Sequence, residues 1–363
     1  MPVGNASDGI GLFAGQVMIS ANMNMQHINW GHDPVDPEPF EHFGHLNSVL
    51  LIPTITIGLS DYWNVNYTQF IGLRAMEWGP HNETSVHHRT ESSLTDYDNA
   101  NGGFLGDGKL IFKYLLYNAG HEEGNRLFLG VGISAPSDNV LTSDPFFLAE
   151  LEDNGGDGID PWEDFVDDND NGVWDDGEDF VDDNDNGVWD DSDWNDGEHN
   201  HRHFALSDGN YKGLLELQYF NKRKNNPVFW GIKFNMSRPF KDSDYGYAAG
   251  DSYNLALSAL FKPTKKIITN PIGISSGVFL VNAQRGYWNG LPDPTSKSTV
   301  LIPSIGAIWK YGKGTVSLNF QKPFLISGYG AGSENALNNK FDAIEITIGY
   351  RYALDYVIPW LYF

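Results

Sequence analysis

The chain has 363 residues, no cysteine, and a formal net charge of −25 from 48 acidic and 23 basic residues. The lack of thiols excludes disulfides and thiolate metal sites. We find no basic face of the kind that binds phosphates, so no nucleic-acid partner is expected. The acidic excess is local, because residues 150–198 hold 22 Asp and Glu and no Lys or Arg.

The dominant pattern along the chain is an alternation of apolar and polar residues. In residues 342–354, Ile344, Ile346 and Ile348 fall on one face of an extended chain, and Glu345 and Thr347 fall on the other. A period of two predicts strands with one apolar face, and no stretch shows a convincing helical stripe. Twelve strands are predicted, over about 9–22, 46–59, 62–76, 104–117, 126–135, 208–220, 227–238, 251–261, 271–284, 299–310, 314–325 and 342–354.

The connections between these strands alternate between short and long. Residues 60–61 and 311–313 form short connections, whereas residues 77–103 and 136–207 form long ones. This layout, with an even number of strands, is typical of bacterial outer-membrane barrels. In hydrocarbon every backbone polar group must be paired, and a closed sheet has no free edge. We expect an all-β chain whose residues 1–363 form one transmembrane antiparallel up-and-down β-barrel in the bacterial outer membrane.

A soluble β-sandwich would also alternate between inward and outward residues. Its outward face should carry many charges, whereas the predicted strands place few charges on either face. The last residues, Pro359 to Phe363, support the barrel because a terminal aromatic residue after an alternating strand resembles the C-terminal signal of outer-membrane barrels. No signal peptide is visible at Met1, so we expect the sequence to be a mature or recombinant form.

The acidic segment, residues 150–198, is predicted to be an insertion in the long loop between the fifth and sixth strands. Residues 164–176 recur unchanged at 179–191. Each copy has the D-x-N-x-N-G spacing of an EF-hand calcium loop, and its hard oxygen ligands suit Ca²⁺. We expect two Ca²⁺ ions. The predicted ligands are Asp167, Asn169, Asn171, Val173, Asp175 and Glu178 in the first copy, and Asp182, Asn184, Asn186, Val188, Asp190 and Asp193 in the second.

No EF-hand helices flank these loops. Residues 165–198 instead resemble the tandem calcium repeats of thrombospondin type-3 and dockerin-like modules. The alternative is an unstructured acidic tether, because blocks of like charge repel one another. If the loop binds calcium, the ion could also bridge it to lipopolysaccharide or to another cell, and the barrel would then be a structural or adhesive surface protein.

Histidines form a second metal-binding hypothesis. Ten of the 11 histidines lie before or within the predicted outer loops. His199, His201 and His203 alternate, so an extended chain would place their imidazoles on one face, where Zn²⁺, Cu²⁺ or Ni²⁺ could bind. Uptake of a transition metal through these loops is therefore one alternative function. The other is that the histidines only hydrogen-bond their neighbours.

An enzymatic function is not expected. The sequence lacks the H-x-S motif of outer-membrane phospholipase A and also lacks G-x-S-x-G. Gly106-Asp107 with Lys113-Tyr114 resembles a motif of the barrels of the MetA-pathway of phenol degradation, although Ser137-Asp138 departs from that group where Thr-Gly would stand.

Those barrels are similar to the FadL-like transporters, and the resemblance implies passive uptake of small, hydrophobic or aromatic solutes. The expected partners of the barrel are outer-membrane lipid and lipopolysaccharide. Whether the barrel forms a homo-oligomer is left open by the sequence. The residues expected to line the lumen are Lys109, Lys113, Glu216, Lys233, Glu345 and Arg351.

Overall fold

The computed structural model describes residues 11–32, 42–78, 90–92, 99–119, 123–145, 202, 204–263, 271–293, 296–328 and 340–362. Within these ranges the chain is all β apart from one 3-10 turn, Pro359–Leu361. No helix in the described part is long and apolar enough to cross a membrane. The strands are β1 Gln16–His32, β2 His42–Gly58, β3 Trp63–Trp78, β4 Thr90–Ser92, β5 Leu105–Asn118, β6 Gly124–Ala135, β7 Tyr211–Lys222, β8 Phe229–Lys241, β9 Tyr247–Ala248, β10 Ser252–Phe261, β11 Gly273–Ala283, β12 Tyr287–Trp288, β13 Leu291–Pro292, β14 Ser298–Tyr311, β15 Gly314–Gln321, β16 Phe324–Gly328 and β17 Lys340–Val357.

Twelve of these strands form one antiparallel sheet that closes on itself. Around the ring the order is β1, β2, β3, β5, β6, β7, β8, β10, β11, β14, β15 and β17. The ring closes where β17 returns to β1, with Tyr352 opposite Ile19. Because each of these strands has a neighbour on both sides, no long edge is left unpaired. The predicted twelve-strand antiparallel barrel is confirmed.

The two faces of the sheet carry opposite chemistry. Large apolar side chains such as Ile55, Val131 and Ile305 point outward and are 47–61% exposed. Polar side chains such as Asn22 and Thr347 point inward and are buried. This is the reverse of a soluble barrel, and it places the apolar faces where lipid would cover them.

All twelve predicted strands are present, and the ends of most differ by a few residues. β1 begins at Gln16 instead of near residue 9 because the chain turns at Gly15, whose φ is +78°. The Gly15 amide donates to the carbonyl of Gly58 at 2.7 Å, and this bond fixes the turn between residues 11–14 and β1. The predicted strand at 314–325 is divided into β15 and β16, since Pro323 at the break has no amide hydrogen to donate.

The end of the barrel with the long connections carries a small second sheet. It consists of β9, β12 and β13, with Tyr287 paired to both Ala248 and Pro292. The ring of Tyr247 lies 4.8 Å from that of Trp288, which is almost fully buried. This sheet covers part of the barrel mouth and is called the outer lid below.

Candidate functional site

An ion triad lies inside the barrel. Glu216 of β7 binds Lys113 of β5 with its Oε1 at 2.8 Å and Lys233 of β8 with its Oε2 at 2.9 Å. The three side chains are only 5–7% exposed. A single buried carboxylate therefore faces two ammonium groups, and this part of the lumen depends on their attraction.

Gly130 of β6 makes this triad geometrically feasible. In the sheet it stands between Lys113 and Glu216, as the direct partner of both. A Cβ on Gly130 would lie 3.0 Å from the Cβ of Glu216 and 3.4 Å from its Oε1. Because Gly130 has no side chain, Lys113 and Glu216 can contact each other across β6.

The surrounding lumen is filled by polar side chains. Gln218, Asn319 and Thr347 are exposed by 1% or less. The hydroxyl of Ser275 donates to Asn319 Oδ1 at 3.1 Å. An apolar molecule moving straight down the axis would have to separate these groups and the triad, which costs free energy because buried polar groups need partners.

The other three residues expected in the lumen also lie on the inner face. Lys109 Nζ lies 4.6 Å from the ring centre of Phe70. Glu345 Oε1 accepts a hydrogen bond from Asn24 Nδ2 at 2.7 Å. Arg351 Nε donates to the hydroxyl of Thr315 at 3.0 Å. Their contribution to transport stays a prediction.

The first described residues enter the barrel at the end with the short turns. The amide of Leu12 donates to Asn64 Oδ1 at 2.9 Å, and Leu12 is 4% exposed. Gly11 lies against the ring of Phe128, to which an added Cβ would come within 3.5 Å. Residues 11–14 thus occupy the short-turn mouth, a role that strand periodicity did not indicate.

The opposite mouth is occupied by residues 204–210, which directly precede β7. Leu206 donates its amide to Asn139 Oδ1 at 2.7 Å, and Ala205 accepts a bond from Arg74 Nη1 at 2.6 Å. The fully buried Asn210 donates to the carbonyl of Tyr247 at 2.9 Å and so joins this segment to the outer lid. We call residues 204–210 the mouth segment.

Two cavities adjoin the mouth segment. The upper cavity, of about 360 Å³, lies under the outer lid. The deep cavity, of about 150 Å³, lies nearer the triad. Arg74, Asp107 and Leu206 border both cavities. The upper cavity also has Val140, Leu141, Pro145, Phe204, Tyr247 and Trp288 in its wall, and the deep cavity has Leu50, Phe70, Ile71 and Lys109.

The barrel wall beside the deep cavity is irregular. Gln69 pairs with Gly108 and Ile71 pairs with Leu105, so Phe70 stands opposite two residues of β5, Gly106 and Asp107. The extra residue makes a β-bulge, which locally interrupts the ladder. The side chain of Gln69 spans the interruption, since its Nε2 donates to the carbonyl of Gly106 at 2.6 Å.

A groove of about 640 Å³ lies on the outer face of the same bulge. Tyr67, Leu105 and Ile133, all about half exposed, form part of it together with Gly106. On its inner side a Cβ on Gly106 would lie 3.0 Å from Phe70 and 3.3 Å from the carbonyl oxygen of Leu206. The backbone of Gly106 therefore separates the deep cavity from the outer groove.

The backbone fold was compared with solved structures. An outer-membrane channel from Pseudomonas putida F1 aligns with a TM-score of 0.50 at 10% sequence identity, over 96% of this chain and 98% of that chain. The chain has the fold of an outer-membrane β-barrel. The P. putida toluene transporter TodX aligns at 0.39 and 9% identity, over 97% and 93% of the two chains. A Pseudomonas aeruginosa FadL homologue aligns at 0.37 and 8% identity, over 96% and 95%.

No family model matches the sequence, and no curated protein matches it significantly. At 8–10% identity, the solved structures share too little sequence for residue roles to be transferred to this barrel.

The predicted metal sites of the barrel lie outside the described residues. This holds for all twelve calcium ligands between Asp167 and Asp193 and for His199, His201 and His203. In the part of the chain that the structure describes, no group of three or more His, Asp and Glu is placed to hold a metal ion. Both metal sites stay predictions from the sequence.

The residues that sequence reasoning missed are Arg74 and Asp107. Arg74 lies in a predicted strand without a motif around it, and Asp107 belongs to the Gly106-Asp107 motif, which indicates a family resemblance but no site. Alternation places both on the inner face, Arg74 with Asn64 in β3 and Asp107 with Lys113 in β5, and both border the two cavities. Periodicity within one strand gives the face of each residue but not which residues of different strands meet, so it contains no signal that Arg74 and Asp107 share a cavity.

Proposed function

We propose that this barrel is a bacterial outer-membrane channel for small hydrophobic solutes, which enter at the long-loop mouth and leave sideways through the β3–β5 bulge. The observation that carries the proposal is the position of Gly106. Cavities with apolar residues lie on the inner side of its backbone, and an apolar groove lies on the outer side.

The ion triad favours sideways passage over axial passage. A hydrophobic solute offers no replacement for the Lys113–Glu216 and Lys233–Glu216 contacts that it would have to separate. Separating β3 from β5 at the bulge breaks fewer ladder bonds, since pairing is already interrupted there. The solute would then enter the lipid, where its apolar surface is favoured.

A reversible disulfide tests this route. Gln69 and Gly108 are direct cross-strand partners beside the bulge, and the chain has no native cysteine to interfere. We expect the Gln69→Cys/Gly108→Cys protein, oxidised in vesicles, to lose flux of toluene and to regain it on reduction. Side chains of directly opposed residues lie close enough for such a bond.

The matched control is Val131→Cys/Leu215→Cys, another direct cross-strand pair of the wall, between β6 and β7. Its oxidation should leave flux unchanged. Full flux through the oxidised Gln69–Gly108 protein would exclude the sideways route. Absence of flux in the unmodified protein would instead favour the structural or adhesive surface barrel.

We also propose that the acidic insertion binds two Ca²⁺ ions at the long-loop end of the barrel. Support comes from the sequence, where the Asp, Asn and Gly residues of the loop recur in register. The insertion is covalently continuous with the mouth segment through residues 199–203. Isothermal calorimetry of the full chain with Ca²⁺ tests this proposal.

A further inference from the structure

The junction of the two cavities contains a carboxylate oxygen without a partner. Asp107 Oδ1 is buried and accepts no hydrogen bond from a described residue, although the hydroxyl of Ser207 lies close to this carboxylate. The other oxygen, Oδ2, is 3.5 Å from the hydroxyl of Ser134. A buried acceptor left unsatisfied costs free energy, so this position favours a ligand that can donate a hydrogen bond.

Arg74 supplies the complementary group at the same junction. Its Nη1 donates to the carbonyl of Ala205, and within the described ranges no salt bridge joins it to Asp107. A guanidinium carries five N–H donors, so a ligand beside Arg74 can also be met as an acceptor. The junction thus presents one acceptor and further donors at the border of an apolar cavity.

The charges around the two cavities balance. Among the described lining residues the cations are Arg74, Lys109 and Lys212, and the anions are Asp107, Asp208 and Asp293. An ionised solute would upset this balance beside partly buried groups, where charges interact more strongly than in bulk water. A neutral polar group leaves it unchanged.

We propose that this junction recognises a hydroxyl group, so that the preferred solutes are small hydrophobic alcohols and phenols. A hydroxyl can donate to Asp107 and accept from Arg74 at once. A pure hydrocarbon leaves Asp107 Oδ1 without a donor and offers no acceptor to the remaining N–H groups of Arg74. The proposal rests on the channel function proposed above and names the solute class for the same site.

The deep cavity sets the size of the apolar part. Its volume of about 150 Å³ matches the size of cavity that accommodates a benzene ring. Leu50, Phe70 and Ile71 would contact such a ring while the hydroxyl stays at Asp107. Alcohols with a single ring fit this arrangement.

The test compares three molecules of similar shape: benzyl alcohol, toluene and benzoate. Binding to the full-length protein in lipid nanodiscs is measured by ligand-observed NMR, and flux is measured in vesicles. We expect the unmodified protein to bind benzyl alcohol about tenfold or more tightly than toluene, and benzoate weakest, since a hydrogen bond to a charged group has that magnitude.

Three variants locate the effect. Asp107→Ala should abolish the preference for the alcohol while toluene binding is kept, and Asp107→Asn, which retains an acceptor oxygen, should restore part of it. Asp244→Asn is the matched control, because Asp244 is 78% exposed and lies outside both cavities. Retained toluene binding shows that the Asp107 variants are folded.

The outcomes separate this inference from the channel function. Equal binding of the alcohol and toluene by the unmodified protein, or an undiminished preference in Asp107→Ala, would overturn hydroxyl recognition and leave the channel intact. If none of the three solutes crosses the vesicle membrane, the channel function fails and the inference falls with it. Loss of the preference in Asp107→Ala alone supports the inference.

Discussion

Lys113 and Glu216 form an ion pair of 2.8 Å across an intervening strand, with both side chains only 5% exposed. They are separated by 103 positions in the chain and by one glycine, Gly130, in the sheet. Since Glu216 also binds Lys233, one carboxylate neutralises two buried cations.

Replacing Glu216 by Gln should destabilise the barrel by about 3–5 kcal/mol, because two ammonium groups stay buried without a counter-charge. The midpoint of unfolding in urea, followed in vesicles by the heat-modifiable shift on gels, measures the loss. Glu123→Gln is the control, since its pair with Lys224 is exposed and should contribute about 0–1 kcal/mol.

The triple change Lys113→Met, Glu216→Leu and Lys233→Met should recover most of the stability that Glu216→Gln loses. If the triple variant stays unstable, the shape of these side chains and not their charge determines the stability of the barrel here.

Gly130→Val should separate Lys113 from Glu216 without removing either charge. The new Cβ would stand 3.0 Å from the Cβ of Glu216, so the carboxylate must move away. We expect a loss of about 2–4 kcal/mol, in the range for overpacking combined with a weakened buried pair, read from the same urea transition. Gly213→Val is the control, since an added Cβ there meets only the carbonyl of Arg238 at 3.9 Å. Equal stability of the two variants would refute the spacing role of Gly130.

The outer lid should loosen at alkaline pH. Burial, and then the carboxylates of Asp293 and Asp208, raise the pKa of Tyr247 well above its ordinary value. The folded lid keeps this phenol protonated, so its stabilising effect is complete below the unfolded-state pKa of about 10 and declines as the pH rises further.

Ultraviolet absorbance of tyrosinate and the fluorescence of Trp288, which lies against Tyr247, would report this opening. In Tyr247→Phe the phenol is absent, so the corresponding part of the alkaline transition should disappear. An unchanged transition in that variant would assign it to other tyrosines.

Calcium titration of the full chain by isothermal calorimetry should show two bound ions. Asp167→Ala and Asp182→Ala each remove the first ligand of one predicted loop, so each should remove one binding event, and the double variant should bind none. Asp244→Ala, outside the insertion, serves as the control. Binding that survives in the double variant would place the ions elsewhere.

Strand positions could be predicted well from the sequence because the signal for them is local. The alternation in β17 and β5 identified both the element and the side of each residue. The same alternation in β5, β7 and β8 places Lys113, Glu216 and Lys233 on the inner face. It does not show that these three residues contact one another. The first strand begins at Gln16, later than predicted. Residues 11–14 precede the turn at Gly15 and lie in the short-turn mouth instead of the sheet, although their sequence also alternates.

The sequence by itself determined that the chain makes a barrel with an apolar outer face, because alternation with a period of two decides which side each residue takes. Only the tertiary structure decided which inner-face residues meet. The register of each strand against its neighbours brings Glu216 to Lys113 and Lys233, and residues 204–210, packed inside the mouth, enclose the two cavities that Arg74 and Asp107 share. Register and bulges arise from closing the whole ring, and the periodicity of a single strand contains no record of them.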